Sequence, residues 1–299
     1  MNSALSPAHG LWNRLAPRCQ QPGCTGNHPF WRRMRRRRRQ IVVAGLRCCL
    51  DCCFEPALAD ALSQVSRAPV RATVRHRIPI GLLLVSRQQL SGAQLRTALE
   101  AQQAAGHGRI GEWLQNLGYA SEAQVTAALA RQWSCPVLRG ETLGMPSPSA
   151  PHIPWSLMRW LEMAPVDFVA STRTLHLAFA DGPDYRVLYA LEQMLDCRTE
   201  PCLVRPSILR RHFEQLAEAR QESEVLFERI GDIAEFIRII RSYAIRLGAA
   251  EVRLGGCGAH VWVRLLGGSR HPLDLTVREV RESSSIPYRG TPGLTAAAV

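Results

Sequence analysis

Lysine is missing from this sequence, since all 37 basic residues among its 299 are arginine. A Walker A loop needs a lysine that reaches the β- and γ-phosphates of a nucleotide. A Schiff-base enzyme needs a lysine amine as its nucleophile. Over these residues, the sequence therefore excludes ATP hydrolysis through a Walker A motif and lysine-dependent covalent catalysis.

Long apolar runs are also missing, because no stretch approaches the ~18 consecutive apolar residues that a membrane-spanning helix needs. An arginine run at 31–39 and apolar residues 41–46 imitate a signal peptide, but Arg47, Asp51 and Glu55 interrupt the apolar region. We therefore expect a cytoplasmic chain without a transmembrane segment. Contact of the arginine run with anionic lipid at the inner membrane is an alternative.

Acidic residues are scarce near the N-terminus. Residues 1–75 hold thirteen Arg against three acidic residues, whereas the remainder holds twenty-four Arg against twenty-two, so this segment carries most of the net charge of +12. Such a segment gives sequence-blind, salt-dependent affinity for nucleic acid, but no recognition helix or aromatic platform accompanies it. We expect residues 1–75 to form a disordered Arg- and Cys-rich tail, with a short helix near residues 56–65. Nonspecific nucleic-acid binding is a further alternative function.

The cysteines lack the spacing of a complete metal site. Six of the ten fall within residues 19–53, namely Cys19, Cys24 and four in the run Cys48-Cys49-Leu50-Asp51-Cys52-Cys53. Pairs at C-x-x-C spacing could bind Zn²⁺ as thiolates. However, these pairs overlap and no second, separated C-x-x-C closes the site. We expect no metal site and no disulfide framework, as in a reducing cytosol.

Spacings typical of catalysis are missing as well. The histidines are scattered, without H-E-x-x-H or H-x-x-E-H spacing, and no Gly-x-Ser-x-Gly elbow occurs. Asp181 and Asp184 form a close acidic pair beside a turn, which helix capping explains. We expect a protein that is not an enzyme.

A thirty-residue repeat is present within residues 76–138. Its paired positions are Gly81 and Gly111, Leu84 and Leu114, Leu95 and Val125, Leu99 and Leu129, and Gln102 and Gln132. Each copy begins with an apolar residue before glycine, and continues with a short helix, a turn and a helix ending in Ala-Leu-x-x-Gln. This duplication predicts a tandem-repeat helical domain with a shared core.

The second copy has residues typical of a helix–turn–helix unit. Gly118 is expected to end its first helix in a left-handed conformation. Ser121 is expected to cap the next helix, with Gln124 completing a capping box. Arg109 precedes the first helix, where free backbone N–H groups favour an anion. An arginine there can also stack on a base or bind a phosphate.

The remaining sequence predicts a mixed architecture. Residues 139–152 are rich in Pro, Ser and Gly and form a linker. Residues 153–220 follow the order α-β-β-α-β-α, with strands at 164–170, 174–180 and 197–204. A helix over 184–195 has Asp181 or Gly182 as its cap, and Ser207 caps the last helix. This order indicates a small α/β sandwich-like domain.

Residues 221–280 are expected to hold a helix over 221–248, C-capped by Gly248, and strands at 251–254 and 260–265. Residues 281–299 are Ser-, Gly- and Ala-rich, so a disordered tail is expected. The fold class predicted for the whole chain is α+β.

The second repeat copy, from Arg109-Ile110-Gly111 to Gln132, resembles a motif of the MshEN (GspE N-terminal) domain of type II secretion and type IV pilus assembly ATPases. Some members of that family bind cyclic di-GMP through two such motifs. The resemblance implies a binding site made of Arg109, Ile110, Gly111, Leu114, Gly118, Gln132, Gly81 and Gln102. In the first copy, Pro79 replaces the motif Arg and Gln88 the turn Gly, and Arg77 is a candidate substitute.

Two later segments support the same resemblance. Ala164-Pro165-Val166 and the run 175–183 resemble the family's next domain. The ranges 247–253 and 263–268 resemble the opening of its PAS-like subdomain, although the acidic and His positions differ. No nucleotide-binding core follows in this sequence. The resemblance implies a non-catalytic regulatory or docking protein that binds a secretion or pilus component. The alternative is a cyclic di-GMP-binding module, and no other cofactor is expected.

Overall fold

The computed structural model describes residues 19–21, 24, 40–67, 77–140, 142–144, 147–218, 224–267 and 272–280. Helices and two separate β-sheets alternate along this part of the chain, which confirms the predicted α+β class. No helix among these residues is both long and apolar enough to cross a membrane. The predicted tail at 281–299 lies outside the described residues.

The elements divide into an N-terminal, a central and a C-terminal group. The first holds β1 (Gln40–Val43), β2 (Leu46–Cys49) and α1 (Phe54–Arg67). The second holds α2 (Ile80–Ser86), α3 (Gly92–Ala105), α4 (Ile110–Asn116), α5 (Glu122–Trp133), α6 (Trp155–Trp160), β3 (Met163–Val169), β4 (Thr174–Phe179), α7 (Tyr185–Leu195), β5 (Arg198–Leu203) and α8 (Pro206–Glu218). The third holds β6 (Glu224–Ile230), α9 (Ile233–Leu247), β7 (Glu251–Cys257), β8 (His260–Leu266) and β9 (Leu273–Val280).

The helices α2 to α5 form a helical unit, residues 80–133, around a core that includes the fully buried Leu84 and Leu114. Ser121 and Gln124 form the predicted capping box, and Ser91 and Gln94 form an equivalent one at α3. These boxes satisfy backbone N–H groups that the first turn of a helix leaves without partners. Each long helix therefore begins in the same way, thirty residues apart.

The turns inside the helical unit are also equivalent. Gly118 has a φ of +70°, which confirms the predicted left-handed turn, and Gln88 has a φ of +60° at the position thirty residues earlier. Such a φ costs a residue with a Cβ roughly 1–2 kcal/mol. The turn at Gln88 therefore keeps its shape without the glycine that favours it.

The three-stranded sheet has the order β3-β4-β5, with β3 antiparallel and β5 parallel to the central β4. The six-stranded sheet has the order β2-β1-β7-β8-β9-β6. One of its faces packs against α1 and α9, and Trp262 and Cys257 on β8 and β7 join the core of the three-stranded sheet. Gly255 permits this contact, because a Cβ there would lie 2.9 Å from Met194 Cγ of α7.

The prediction of a disordered tail over 1–75 is wrong for residues 40–49, which form β1 and β2, whereas the short helix predicted near residues 56–65 is present as α1. Ile41 and Val43 are buried in β1, and Leu58 of α1 is fully buried. The strand β1 pairs in parallel with β7, placing Val42 opposite Glu251. Because this partner is far along the chain, no local pattern reveals it. Most of residues 1–39, including the arginine run, lies outside the described residues.

The predicted helix over 221–248 is also wrong at its start, because residues 224–230 form the strand β6, paired with β9. Val225 and Phe227 pack against the core, whereas Leu226 between them is exposed. This exposed leucine hides the two-residue alternation that marks a strand. The helix itself ends as predicted, with Gly248 at a φ of +60°.

Two predicted caps are wrong as well. Asp184, not Asp181 or Gly182, caps α7, and its Oδ1 accepts from Arg186 N at 2.9 Å. Ser207 lies inside α8 and instead donates from its backbone N to Glu122 Oε1 of α5 at 2.7 Å. Burial would raise the pKa of Asp184, but hydrogen bonds from Arg186 hold it below its usual value.

A buried ion pair fastens the segment before α6 to the six-stranded sheet. Arg264 Nε and Nη2 each donate to a different oxygen of Asp274 at 2.8 Å. Trp262 Nε1 donates to Asp274 Oδ1 at 2.8 Å, and Arg264 Nη2 donates to the His152 carbonyl at 2.6 Å. Each oxygen of this fully buried carboxylate therefore accepts at least one hydrogen bond.

Candidate functional site

Gly81 and Gly111, both predicted ligand residues, are buried at the starts of α2 and α4. A Cβ at Gly81 would lie 2.5 Å from Leu95 Cδ1, and a Cβ at Gly111 would lie 2.9 Å from Val125 Cγ1. These distances are shorter than ordinary van der Waals contacts. Both glycines therefore allow a short helix to approach the long helix that follows it.

Three further predicted ligand residues also serve the fold. Leu114 is fully buried in the helical core, and Ile110 packs partly buried against it. Gly118 provides the left-handed turn between α4 and α5. In this arrangement, Leu114 has no surface to offer a ligand.

The two glutamines of the repeat hold the two copies together. Gln102 Nε2 of α3 donates to the Gly108 carbonyl, just before α4, at 2.8 Å. Gln132 Nε2 of α5 donates to the Ile78 carbonyl, just before α2, at 2.8 Å. Each copy thus hydrogen-bonds to the segment that leads into the first helix of the other copy.

Arg109 is the N-cap residue of α4, and its side chain forms an ion pair with Asp181. The arginine side chain is 65% exposed and the aspartate 34% exposed. Asp181 lies in the connection from β4 to α7, so this pair links the helical unit to the three-stranded sheet. The guanidinium that the sequence assigns to an anionic ligand therefore has a carboxylate as its partner in this structure.

A cavity of about 390 Å³ lies where α5 and α7 meet the segment before α2. Its polar and aromatic lining includes Arg77, Arg131, Gln132, Trp133 and Tyr185. Arg77 Cζ stacks 3.2 Å from the centre of the Trp133 ring, and the rings of Trp133 and Tyr185 are 6.3 Å apart. Two guanidinium groups beside two aromatic rings favour a flat or anionic ligand group.

The Trp133 indole has a fixed place in this cavity. Gly182, which follows Asp181, lies so close to Trp133 that a Cβ there would clash with the indole ring. The Arg109–Asp181 pair consequently lies beside the cavity wall. Of the eight predicted ligand residues, the described lining of the cavity contains one, Gln132.

The corresponding position of the first copy lacks this chemistry. Thirty residues before Arg131 and Trp133 the sequence has Ala101 and Gln103, and thirty residues after Arg77 it has His107. The hydrogen bond of Gln102 is retained there, but none of these three positions has an arginine or a tryptophan. The indole near this position is that of Trp113, whose Nε1 donates to the His107 carbonyl at 3.0 Å. The two halves are therefore alike in backbone and unlike in the groups they offer a ligand.

The repeat motif pointed to Arg77 but not to Arg131, Trp133 or Tyr185, which line the same cavity. Arg131 and Trp133 flank Gln132 directly, so an arginine and an indole beside a motif residue were an available signal. Tyr185 is more than fifty residues further along the chain and reaches Trp133 only because α7 packs beside α5. No local pattern could have placed it in the cavity.

No family model matches the chain, and no curated protein matches it either. Among solved structures, it is similar to MshE with cdg (cyclic di-GMP), at 31% identity over 46% of this chain and 99% of that chain, with a TM-score of 0.39. It is also similar to the N-terminal domain of XpsE, at 21% identity over 46% of this chain and 92% of that chain, with a TM-score of 0.36.

The identity with MshE extends over nearly the whole of that structure. The chain therefore belongs to the family of MshE and GspE N-terminal regions, as the repeat motif predicted.

Proposed function

We propose that this protein is a non-catalytic docking or regulatory relative of the N-terminal regions of type II secretion and type IV pilus ATPases. Its helical unit would bind a protein component of that machinery, at the cytoplasmic face of the inner membrane. Its helices α2 to α5 would form a tandem-repeat helical domain, and residues 221–280 would be a PAS-like segment.

The observation that carries this proposal is an exposed apolar surface around the cavity. Ile78 is 60% exposed at the cavity edge, and Leu82 is exposed one helical turn further on. Tyr185 is exposed on the other side, and Tyr189, one turn along α7, is 65% exposed. We name these four residues the apolar rim. Aromatic and aliphatic side chains around a concave centre are typical of protein-binding sites.

The internal contacts of the motif residues support docking over ligand binding. The Gln102 and Gln132 amides donate to backbone carbonyls, and Arg109 pairs with Asp181. These contacts keep the helical unit closed and fixed to the three-stranded sheet. A rigid surface of this kind loses little conformational entropy when a protein binds to it.

Photocrosslinking from the apolar rim tests the proposal. A photoreactive amino acid replaces Leu82 or Tyr189 in cells that assemble a secretion or pilus system, and mass spectrometry identifies the crosslinked protein. We expect a component of that machinery from both positions. Ile245 on α9 is similarly exposed and serves as the control position. The docking proposal fails if both rim positions give no adduct, or the same adducts as position 245.

A second candidate function, cyclic di-GMP binding, is favoured by the cavity chemistry. The guanidinium groups of Arg77 and Arg131 could pair with phosphates, and the Trp133 and Tyr185 rings could stack on guanine. The identity with MshE, whose structure contains that ligand, points the same way. The ion pair of Arg109 and the substituted first copy count against it.

Calorimetric titration of the full chain with cyclic di-GMP decides the second candidate, with cyclic di-AMP as the specificity control. If the cavity binds the ligand, Arg77→Ala and Arg131→Ala should each weaken binding by roughly tenfold or more. Arg186→Ala, on the exposed side of α7, should leave affinity unchanged. Absence of binding heat from the wild-type chain at several temperatures would eliminate this function and leave the docking proposal intact.

A further inference from the structure

Five cysteines from two separate segments of the chain lie close together beside the hairpin of β1 and β2. The sulfur atoms of Cys19, Cys24 and Cys53 all lie within 4.8 Å of one another, and so do those of Cys24, Cys49 and Cys52. Cys24 belongs to both groups. All ten cysteines of the chain are among the described residues, and none of them forms a disulfide.

The spacing of these sulfur atoms matches a tetrahedral metal site. Cys24 Sγ is 3.8 Å from Cys49 Sγ and 3.8 Å from Cys52 Sγ, and Cys52 and Cys53 Sγ are 3.5 Å apart. Four thiolates around Zn²⁺, each with a bond of about 2.3 Å, place their sulfur atoms about 3.8 Å apart. A disulfide would need a separation of about 2.05 Å.

Backbone contacts place the separate cysteines together. Gln20 N donates to the Arg47 carbonyl at 2.8 Å, and Arg47 N donates to Gln20 Oε1 at 2.7 Å. Cys53 N donates to the Cys49 carbonyl at 3.1 Å and so folds the connection from β2 to α1 into a turn. The segment carrying Cys19 and Cys24 is thereby held against the turn carrying the other three.

We propose that this cluster is a structural zinc site in which Cys24, Cys49 and Cys52 bind Zn²⁺ together with a fourth thiolate from Cys53 or Cys19. Each bound thiol loses its proton to solvent when the metal binds. Four sulfur ligands in tetrahedral arrangement suit Zn²⁺ or an iron centre, and the absence of an open coordination position suits a structural role.

The site has a definite task in the fold. It joins residues 19–21 and 24 to the β1–β2 hairpin, which adds the edge strand β2 and its neighbour β1 to the six-stranded sheet. Short strands at a sheet edge have few partners, so a metal crosslink there stabilises an arrangement that packing alone supports weakly.

Metal analysis of the full chain, purified without chelator, tests the proposal. We expect about one zinc per chain by mass spectrometry of the metal. Cys24→Ser should lower zinc affinity by more than about 100-fold, beyond the loss typical of outer-shell changes. Cys48→Ser is the matched control, because the Cys48 thiol points into the core and donates to the Ile41 carbonyl at 3.5 Å. This variant should keep its zinc.

Two further measurements keep the test decisive if a variant folds poorly. Cobalt added to the metal-free wild-type chain should give the absorption of tetrahedral thiolate coordination. Cys52→His should retain zinc, whereas Cys52→Ala should lose it, because imidazole is also a zinc ligand. A folded wild-type chain that binds neither zinc nor cobalt would overturn the site, and a coloured iron centre would overturn its assignment to zinc.

Discussion

Replacing Arg264 by Met would remove the positively charged partner of Asp274, the most deeply buried carboxylate described in this fold. Asp274 is fully buried and receives two hydrogen bonds from Arg264. Methionine fills a similar length but provides no positive charge and no donor. The Trp262 indole and, at 3.4 Å, His152 Nδ1 would then be the remaining hydrogen-bond partners of this carboxylate. The His152 carbonyl would lose its contact with the guanidinium.

Removal of one partner from a buried ion pair costs roughly 3–5 kcal/mol, because it leaves an uncompensated charge away from water. For a domain of 150–250 residues, each kcal/mol shifts Tm by roughly 2–4 °C, so Tm should fall by roughly 6–20 °C. Arg186→Met is the matched control. Its ion pair with Asp184 is solvent-exposed, and such pairs contribute about 0–1 kcal/mol.

Urea denaturation followed by tryptophan fluorescence gives the free energies of unfolding. The double variant Arg264→Met/Asp274→Leu removes both charges, so it should be more stable than Arg264→Met alone. It should remain below wild type, because the Trp262 N–H would lose its acceptor at a cost of about 1–3 kcal/mol. A loss below about 1 kcal/mol for Arg264→Met, or strictly additive losses, would refute this reasoning.

Three other predictions follow from single positions. Burial would raise the pKa of Asp274, but hydrogen bonds from Arg264, His152 and Trp262 lower it below its usual value. The stability that this carboxylate contributes to the fold is therefore present above the unfolded pKa of about 3.9 and is lost as pH falls. Asp274→Asn should lack this loss when its unfolding is measured along an acid titration. Burial lowers the pKa of His212, whose ring nitrogens have no hydrogen-bond partner among the described residues. His212→Leu should therefore raise Tm, most of all below pH ~6.5. A Tm equal to that of the wild-type chain at every pH would contradict this prediction. Gln88→Gly should stabilise the chain by about 1 kcal/mol, because glycine adopts the positive φ at this position without strain. Gly118→Gln should destabilise the chain by a similar amount. Equal urea midpoints for the two variants would show that a side chain at these positions causes no backbone strain.

The sequence by itself determined the helical unit in detail. The residues of the second repeat copy predicted the capping box at Ser121 and the turn at Gly118, and both are present. These features depend on contacts within a few residues, so local chemistry specifies them. The same local reasoning located the strands at 163–169 and 174–179 to within a residue.

The structure alone decided which residues meet across long separations. Arg109 finds Asp181, Tyr185 joins Trp133, and β1 joins β7 only after distant segments pack together. The cysteines show this best. Their overlapping spacing argued against a metal site, yet the contacts that hold residues 19–21 and 24 against the hairpin place five sulfur atoms in one cluster. Ligand geometry depends on spatial proximity, which sequence spacing specifies only when the ligands lie within one local motif.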